Sequence, residues 1–477
     1  MRAALGIIAG LLCAAAACWT LPEIAAWGHF IPTDNVVTDY ACALVFALMI
    51  AVGIALSPIR AQERNDLLLL WFFRCATTLG FMLFYENNYG LDAYGYFADA
   101  KESSYDWDSV GFGQGTGVIG AIVWYLNRIV PFADSFHSLK VAFSLIGFIS
   151  VYLFYSALVY YHGSRPRWLL LSIGGFPSLI FWSSILGKDP VILFGFCLYG
   201  AGILCFLRNG RLLPLALAVA GGLGAAWIRP WTAVILVVPT VVGVLLRWRN
   251  LAARVSTLAI GSVALVRAAQ MVAEKFSVIG VDDLVKKANV ISKAWSVGGS
   301  RQEVPDFTNV SEMLTFAPLG MFTALFRPLP GEVMNIFGGL AGIENAVLLY
   351  LVFSGLRRAR RADFKDPAAI WGIALLTSWS FVYGFVSTQN LGSAFRFRLQ
   401  VLPAVVALAL YFRFKQRAGR AVEARVYPER AVTNHLVGEV AFHVSPAADP
   451  HGEAIFRRND QLADGARERL GIARRHQ

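Results

Sequence analysis

Apolar runs of about 18 to 22 residues recur from the first residues of the chain to Phe414 and then stop. Each matches the length of α-helix that crosses a hydrocarbon core of about 30 Å. Inside a bilayer every backbone polar group must be paired within the protein, and a helix does this segment by segment. Composition agrees: the 477 residues are 57% hydrophobic and only 15% charged, with a mean hydropathy of +0.55, beyond what a soluble domain carries. The expected fold is therefore all-α, a polytopic transmembrane helix bundle.

Twelve spans are expected, at 5–27, 38–58, 67–85, 139–161, 168–185, 190–207, 212–228, 231–246, 255–272, 333–354, 367–386 and 399–412. The first reads as an uncleaved span rather than a signal peptide, in spite of a faint lipoprotein-like Ala15-Ala16-Ala17-Cys18. Two further apolar pieces, 116–130 and 314–326, are short and flanked by Gly or Pro. They read as re-entrant or interfacial helices.

The net charge of +11 is carried mostly by short loops and by the tail, so it marks topology rather than nucleic-acid binding. With the amino terminus in the cytoplasm, the basic groups at 60–64, 165–167, 208–211, 247–254, 357–365 and from Arg413 onward all fall inside. That orientation places both termini in the cytoplasm of a bacterial inner membrane. Residues 1–414 then form the transmembrane domain, with outer loops at 86–138 and 273–332. Residues 415–477 form a polar cytoplasmic tail with little fold, in which His435, His443, His451 and His476 stand too far apart for a local metal motif. All six cysteines lie in apolar runs, so neither a disulfide framework nor a zinc site is readable. No internal repeat at a fixed period is present.

The outer face holds the residues that need a reason. Asp92, Tyr96 and Asp99 are spaced i, i+4, i+7, which on a helix puts two carboxylates and a phenol on one face. A carboxylate there suits a general base for a hydroxyl nucleophile; the plain alternative is a solvated loop helix. Lys188 and Asp189 end a Pro-bent segment, where the lysine can meet a phosphate and the aspartate can orient it or hold a metal ion. In the plainer reading Asp189 caps the next helix, with Pro190 at its first position. Arg229, Arg327 with Glu332, and Arg396 with Arg398 add outer guanidiniums suited to phosphate, or simply snorkelling to headgroups. If 395–398 is extended, alternation puts Arg396 and Arg398 on one side as a two-pronged clamp; a helix would separate them by about 200°. Glu344 lies mid-span, where an unpaired ionisable group costs about 2.5–3.5 kcal/mol, so it should face the bundle interior. Arg74 and Arg267, nearer span ends, read as snorkelling structural residues.

In this layout the chain, over about 67–412, resembles the polyprenyl-phosphate-dependent membrane glycosyltransferases of GT-C architecture and the Wzy-type polysaccharide polymerases. The resemblance rests on the acidic stretch Asp92 to Asp99 in the first large outer loop, the Lys188-Asp189 turn, Arg327 to Glu332, and the Arg396-Phe397-Arg398 edge. It implies a catalytic base at Asp92, with Asp99 as competitor, and binding of a lipid-linked pyrophosphate by Arg396 and Arg398. The first loop lacks the adjacent acidic pair common in protein mannosyltransferases, which argues against protein glycosylation. The partners implied are a polyprenyl-linked saccharide donor, a hydroxyl-bearing saccharide acceptor and membrane lipid, with no nucleic acid. A divalent metal is compatible with this chemistry but not demanded, because fixed cations can neutralise the leaving phosphate. Two other classes fit an all-helical chain with a basic face: a lipid-linked oligosaccharide flippase or other transporter, and a scaffold subunit of an envelope assembly. Transporters place their polar residues near the midplane, whereas the candidates here cluster at one interface.

Overall fold

The computed structural model describes residues 20–426 apart from 28–30, 32, 89–91, 103, 133, 297 and 304–305, and apart from the side chains of 281, 282, 284, 291, 295 and 415–426. Most of the expected first span and the tail beyond 426, with its histidines, lie outside the described residues. What is described is helical, with no strand, and the chain is a multi-pass membrane protein.

Seven helices among the described residues are long and apolar enough to cross a bilayer. They are α1 (Val36–Leu56), α2 (Ala61–Asn88), α5 (Phe136–His162), α8 (Lys188–Asn209), α11 (Leu251–Phe276), α14 (Ile336–Leu356) and α15 (Pro367–Val386). Three shorter apolar helices, α9 (Leu212–Ile228), α10 (Trp231–Arg247) and α13 (Val310–Phe326), have 17 residues each, a reach of about 26 Å. The expected span at 168–185 is broken into α6 (Arg167–Gly174) and α7 (Pro177–Trp182), since Gly174, Gly175 and Pro177 interrupt the ladder. The one at 399–412 is also broken: Leu391–Gln400 and Leu402–Phe414 meet at 71°. Its helical parts are α16 (Leu391–Phe397) and α17 (Leu402–Val426). Between the spans lie α3 (Asp92–Lys101), α4 (Gly115–Ile129) and α12 (Val281–Trp295).

Local chemistry sets the helix ends. Asn35 caps α1 by accepting from the Thr38 amide at 3.0 Å. Asp39 receives the first amides of α5, from Phe136 and His137, each at 2.9 Å. Gly163 at φ 72° and Gly210 at φ 71° end α5 and α8 in the left-handed region. Without a hydrophobic drive between helices in lipid, close packing depends on small residues. A methyl on Gly195 would meet the Gly221 carbonyl at 2.8 Å, and one on Gly320 the Gly384 carbonyl at 2.7 Å, so α8 on α9 and α13 on α15 approach backbone to backbone.

The two ends of the bundle differ chemically. At one end, Arg165 donates to Glu63 at 3.0 and 3.1 Å and Arg167 to Asp66 at 2.7 and 2.9 Å, joining the basic loops. The other end holds the start of α8, the α9–α10 turn, α3, α4 and α16.

Candidate functional site

Asp189 is the hub. It is fully buried in the first turn of α8 and its carboxylate takes a guanidinium on each oxygen, Arg229 at 3.2 Å on Oδ1 and Arg396 on Oδ2. Asp189 does not cap its helix, which begins at Lys188 behind an uncapping Gly187, so Pro190 is its third residue. Each guanidinium also lies over a ring: Arg229 is 4.4 Å from Phe397 and Arg396 is 5.2 Å from Trp182. Lys188, one residue earlier, donates to the Thr116 hydroxyl at 2.9 Å. Three cations thus gather about one buried carboxylate, Arg229 buried and Lys188 and Arg396 partly exposed, an arrangement that suits an anion beside them.

The carboxylates of α3 stand at the same end. Asp92 opens the helix and is exposed, within electrostatic reach of Lys188, Arg396 and Tyr96. Tyr96 is buried at 3% exposure. Burial, and then the Asp92 charge, push its phenol up to about 12, so it is neutral at any working pH and acts as a hydrogen-bonding group. Asp99, also exposed, borders a cavity of about 820 Å³ whose wall includes Lys188, Arg229, Thr116, Tyr105 and Phe397. The helix expected from the 92, 96, 99 spacing is therefore present, with Asp92 acting electrostatically on Lys188 and Arg396 and Asp99 sharing a cavity wall with Lys188 and Arg229.

The other candidates are placed elsewhere. Arg327 closes a local loop, donating from Nε to Glu332 at 2.8 and 3.0 Å and from Nη2 to Gln302 at 3.1 Å. Arg398 is fully buried, bonded to Glu344 at 3.1 Å, the Leu325 carbonyl at 2.9 Å and the Asn345 amide oxygen. Residues 391–397 are helical and continue into a 3-10 turn at Arg398–Gln400, so a two-pronged Arg396–Arg398 clamp does not form. Glu344 faces the interior, where it also accepts from the backbone and hydroxyl of Ser178. Arg74 does not snorkel: at 1% exposure it donates to the Ser183 hydroxyl at 2.8 Å and the Ser144 carbonyl at 3.3 Å. Arg267 is exposed.

Several participants were not singled out beforehand. Glu86 and Lys140, both buried, pair at 2.7 Å and join α2 to α5. Thr116 and Phe397 belong to the cavity wall, and Tyr85 and Trp182 pack edge to face at 5.8 Å beside Arg396. Glu86 precedes Asp92 by one loop and Lys140 follows the outer segment, so a buried pair across that segment was the signal available. Among the described residues no three His, Cys, Asp or Glu side chains come together to hold a metal. Comparison with protein-family models, characterised proteins and solved structures gave no match.

Proposed function

We propose that the chain is an inner-membrane glycosyltransferase of cell-envelope or extracellular polysaccharide synthesis, similar to the GT-C enzymes or Wzy-type polymerases. It would transfer a sugar or oligosaccharide from a polyprenyl phosphate or pyrophosphate to a hydroxyl acceptor. The observation that carries this reading is that Asp99, Lys188 and Arg229 border one cavity at one end of the bundle, with Asp92 and Arg396 within electrostatic reach of Lys188. In the proposed reaction the acceptor oxygen attacks the anomeric carbon, and the bond from that carbon to the phosphate oxygen breaks. The acceptor proton passes to Asp92, while the electron pair leaves on the phosphate beside the fixed cations. Asp189, occupied by two guanidiniums, holds them in place. The basic end faces the cytoplasm in this reading, and the site faces the periplasm; twelve crossings put both termini inside.

Purified protein given a polyprenyl-linked donor tests the chemistry. Asp92→Asn should lower transfer by about 10² to 10⁴, the range for a general base, and Asp99→Asn by less. Full turnover in Asp92→Asn with Asp99→Asn dead would move the base to Asp99. A deletion strain that accumulates single lipid-linked repeats marks a polymerase, and one that accumulates a truncated unit marks a single-sugar transferase.

One observation favours a second reading, a lipid-linked saccharide transporter. Arg74, Thr78, Ser144, Ser183 and Ser184 form a buried polar network inside the spans, and transporters carry such groups at depth. Movement of donor across vesicles without its consumption would support that reading over the enzyme.

A further inference from the structure

The stretch Gly111-Phe112-Gly113-Gln114-Gly115-Thr116-Gly117 leads into α4, a helix of 15 residues. Three of its glycines are set by close approach. Gly113 has φ +77° and a methyl on it would meet Pro230 at 2.7 Å; one on Gly115 would meet the Ile228 carbonyl at 2.6 Å; one on Gly117 would meet the Ser109 carbonyl at 1.9 Å. The Gly113 amide also donates to the Trp227 carbonyl at 2.9 Å. Gly113 and Gly115 therefore press the start of α4 onto the turn that carries Arg229, and Gly117 packs it against Ser109.

That placement brings the start of α4 beside Arg229 and Lys188 on one cavity wall, which Asp99, Glu102 and Asp106 also border. The residue before α4, Gln114, makes no side-chain cap, so its side chain leaves the first-turn amides of Gly115, Thr116 and Gly117, at the positive end of the helix dipole, without a cap acceptor. Arg229 is only 8% exposed. Its Nη2 is committed to Asp189 while its buried Nη1 has no hydrogen-bond partner, and it borders the same cavity as Gln114, Gly115, Thr116 and Lys188. A buried guanidinium nitrogen left without an acceptor, beside an uncapped helix start and a lysine, calls for a ligand with several acceptor oxygens.

We propose that the first turn of α4, with Lys188 and Arg229, is a phosphate subsite, and that the phosphate is that of the polyprenyl carrier. The proposal rests on the donor reading above and goes further by locating the anion on backbone amides of the glycine loop. Asp99 of α3 borders the same cavity.

Gln114→Asp separates this role from a purely structural one. An aspartate at the cap position supplies the missing acceptor for the first-turn amides and stabilises the helix, yet its charge competes with phosphate for the same groups. Full-length protein would be titrated with inorganic pyrophosphate in detergent, and with phosphatidylcholine nanodiscs containing or lacking polyprenyl phosphate. Unliganded Tm would be recorded in parallel. Gln114→Asp should keep or raise Tm and weaken phosphate binding by on the order of ten-fold or more. Arg229→Lys, which keeps a cation for Asp189 but loses the second nitrogen, should weaken it too. Carrier binding that is unchanged in Gln114→Asp overturns the subsite and leaves the donor reading standing. Gln114-sensitive binding of pyrophosphate without binding of the carrier supports the subsite and overturns the lipid source. Failure of wild type to bind either probe overturns the subsite, while the transfer assay judges the enzyme separately.

Discussion

Arg396 and Arg398 stand two residues apart, and the fold gives them opposite circumstances. Arg396 keeps 31% of its side chain exposed and shares Asp189 with a second arginine. Arg398 has none exposed and faces Glu344, with amide and carbonyl oxygens taking further protons. One assembly carries more cations than its shared carboxylate at the edge of a cavity; the other is a one-to-one pair shut away from solvent. Neutral, closed pairs inside a span hold helices in register, because either charge alone would be costly there. Surplus charge that reaches solvent is what a binding site retains. The helical turn between residues 396 and 398 produces this divergence, since a turn of about 100° per residue sends alternate side chains to nearly opposite sides.

The largest expected effect breaks the closed pair. Arg398→Met should lower stability by about 3–5 kcal/mol, because Glu344 is left buried without its cation. Thermal unfolding in detergent reads this, and adding Glu344→Gln should recover part of the loss. Arg396→Met should cost much less, since Arg229 still serves Asp189. Equal losses in the two methionine variants would erase the distinction between a brace and a site.

A smaller effect sharpens the open assembly. Arg396→Lys retains the charge beside Asp189 and loses the planar fork, so donor use should fall about ten-fold at equal membrane abundance, close to 1.4 kcal/mol. Unchanged donor dependence would remove Arg396 from the site and leave Lys188 and Arg229 as its cations.

Much of the architecture was legible because a bilayer imposes length. The runs at 38–58, 67–85, 139–161, 190–207, 255–272, 333–354 and 367–386 all fall on the seven long apolar helices. Lys188, Arg229 and Arg396 stood out because positive charge opposite the basic loops needs a cause, Tyr96 through its helical spacing from Asp92 and Asp99, and Asp189 only as the neighbour of Lys188. Partner choice was not legible. Whether Arg327 meets a ligand or Glu332 depends on a loop closure that spacing does not encode, and Arg398 turns inward only because α16 is helical. Glu86 and Lys140 sit 54 positions apart at the edges of apolar runs, where single charges look topogenic. Arg74 looked like a snorkelling residue near a span end, but α2 extends from Ala61 to Asn88 and so carries it into the interior.

The smallest expected effect concerns Tyr96, which lies on the open side of the comparison yet is itself buried. Its phenol is pushed up to about 12 from an ordinary 10.0, by burial first and the Asp92 charge second. Below pH 10 the phenol is neutral in folded and unfolded chains alike, so its contribution to stability is fully present. As pH rises from 10 to 12 the unfolded chain ionises first, and that contribution drains away. Tyr96→Phe removes the titrating group while keeping the ring. The Tm difference between wild type and Tyr96→Phe should therefore be constant from pH 7 to 10 and shift against wild type above pH 10. Transfer activity should keep the same pH profile near neutrality in both proteins, since a neutral phenol there is neither base nor anion. A limb near pH 7 to 9 that disappears in Tyr96→Phe would make the phenol a proton carrier and would take the role of base away from Asp92.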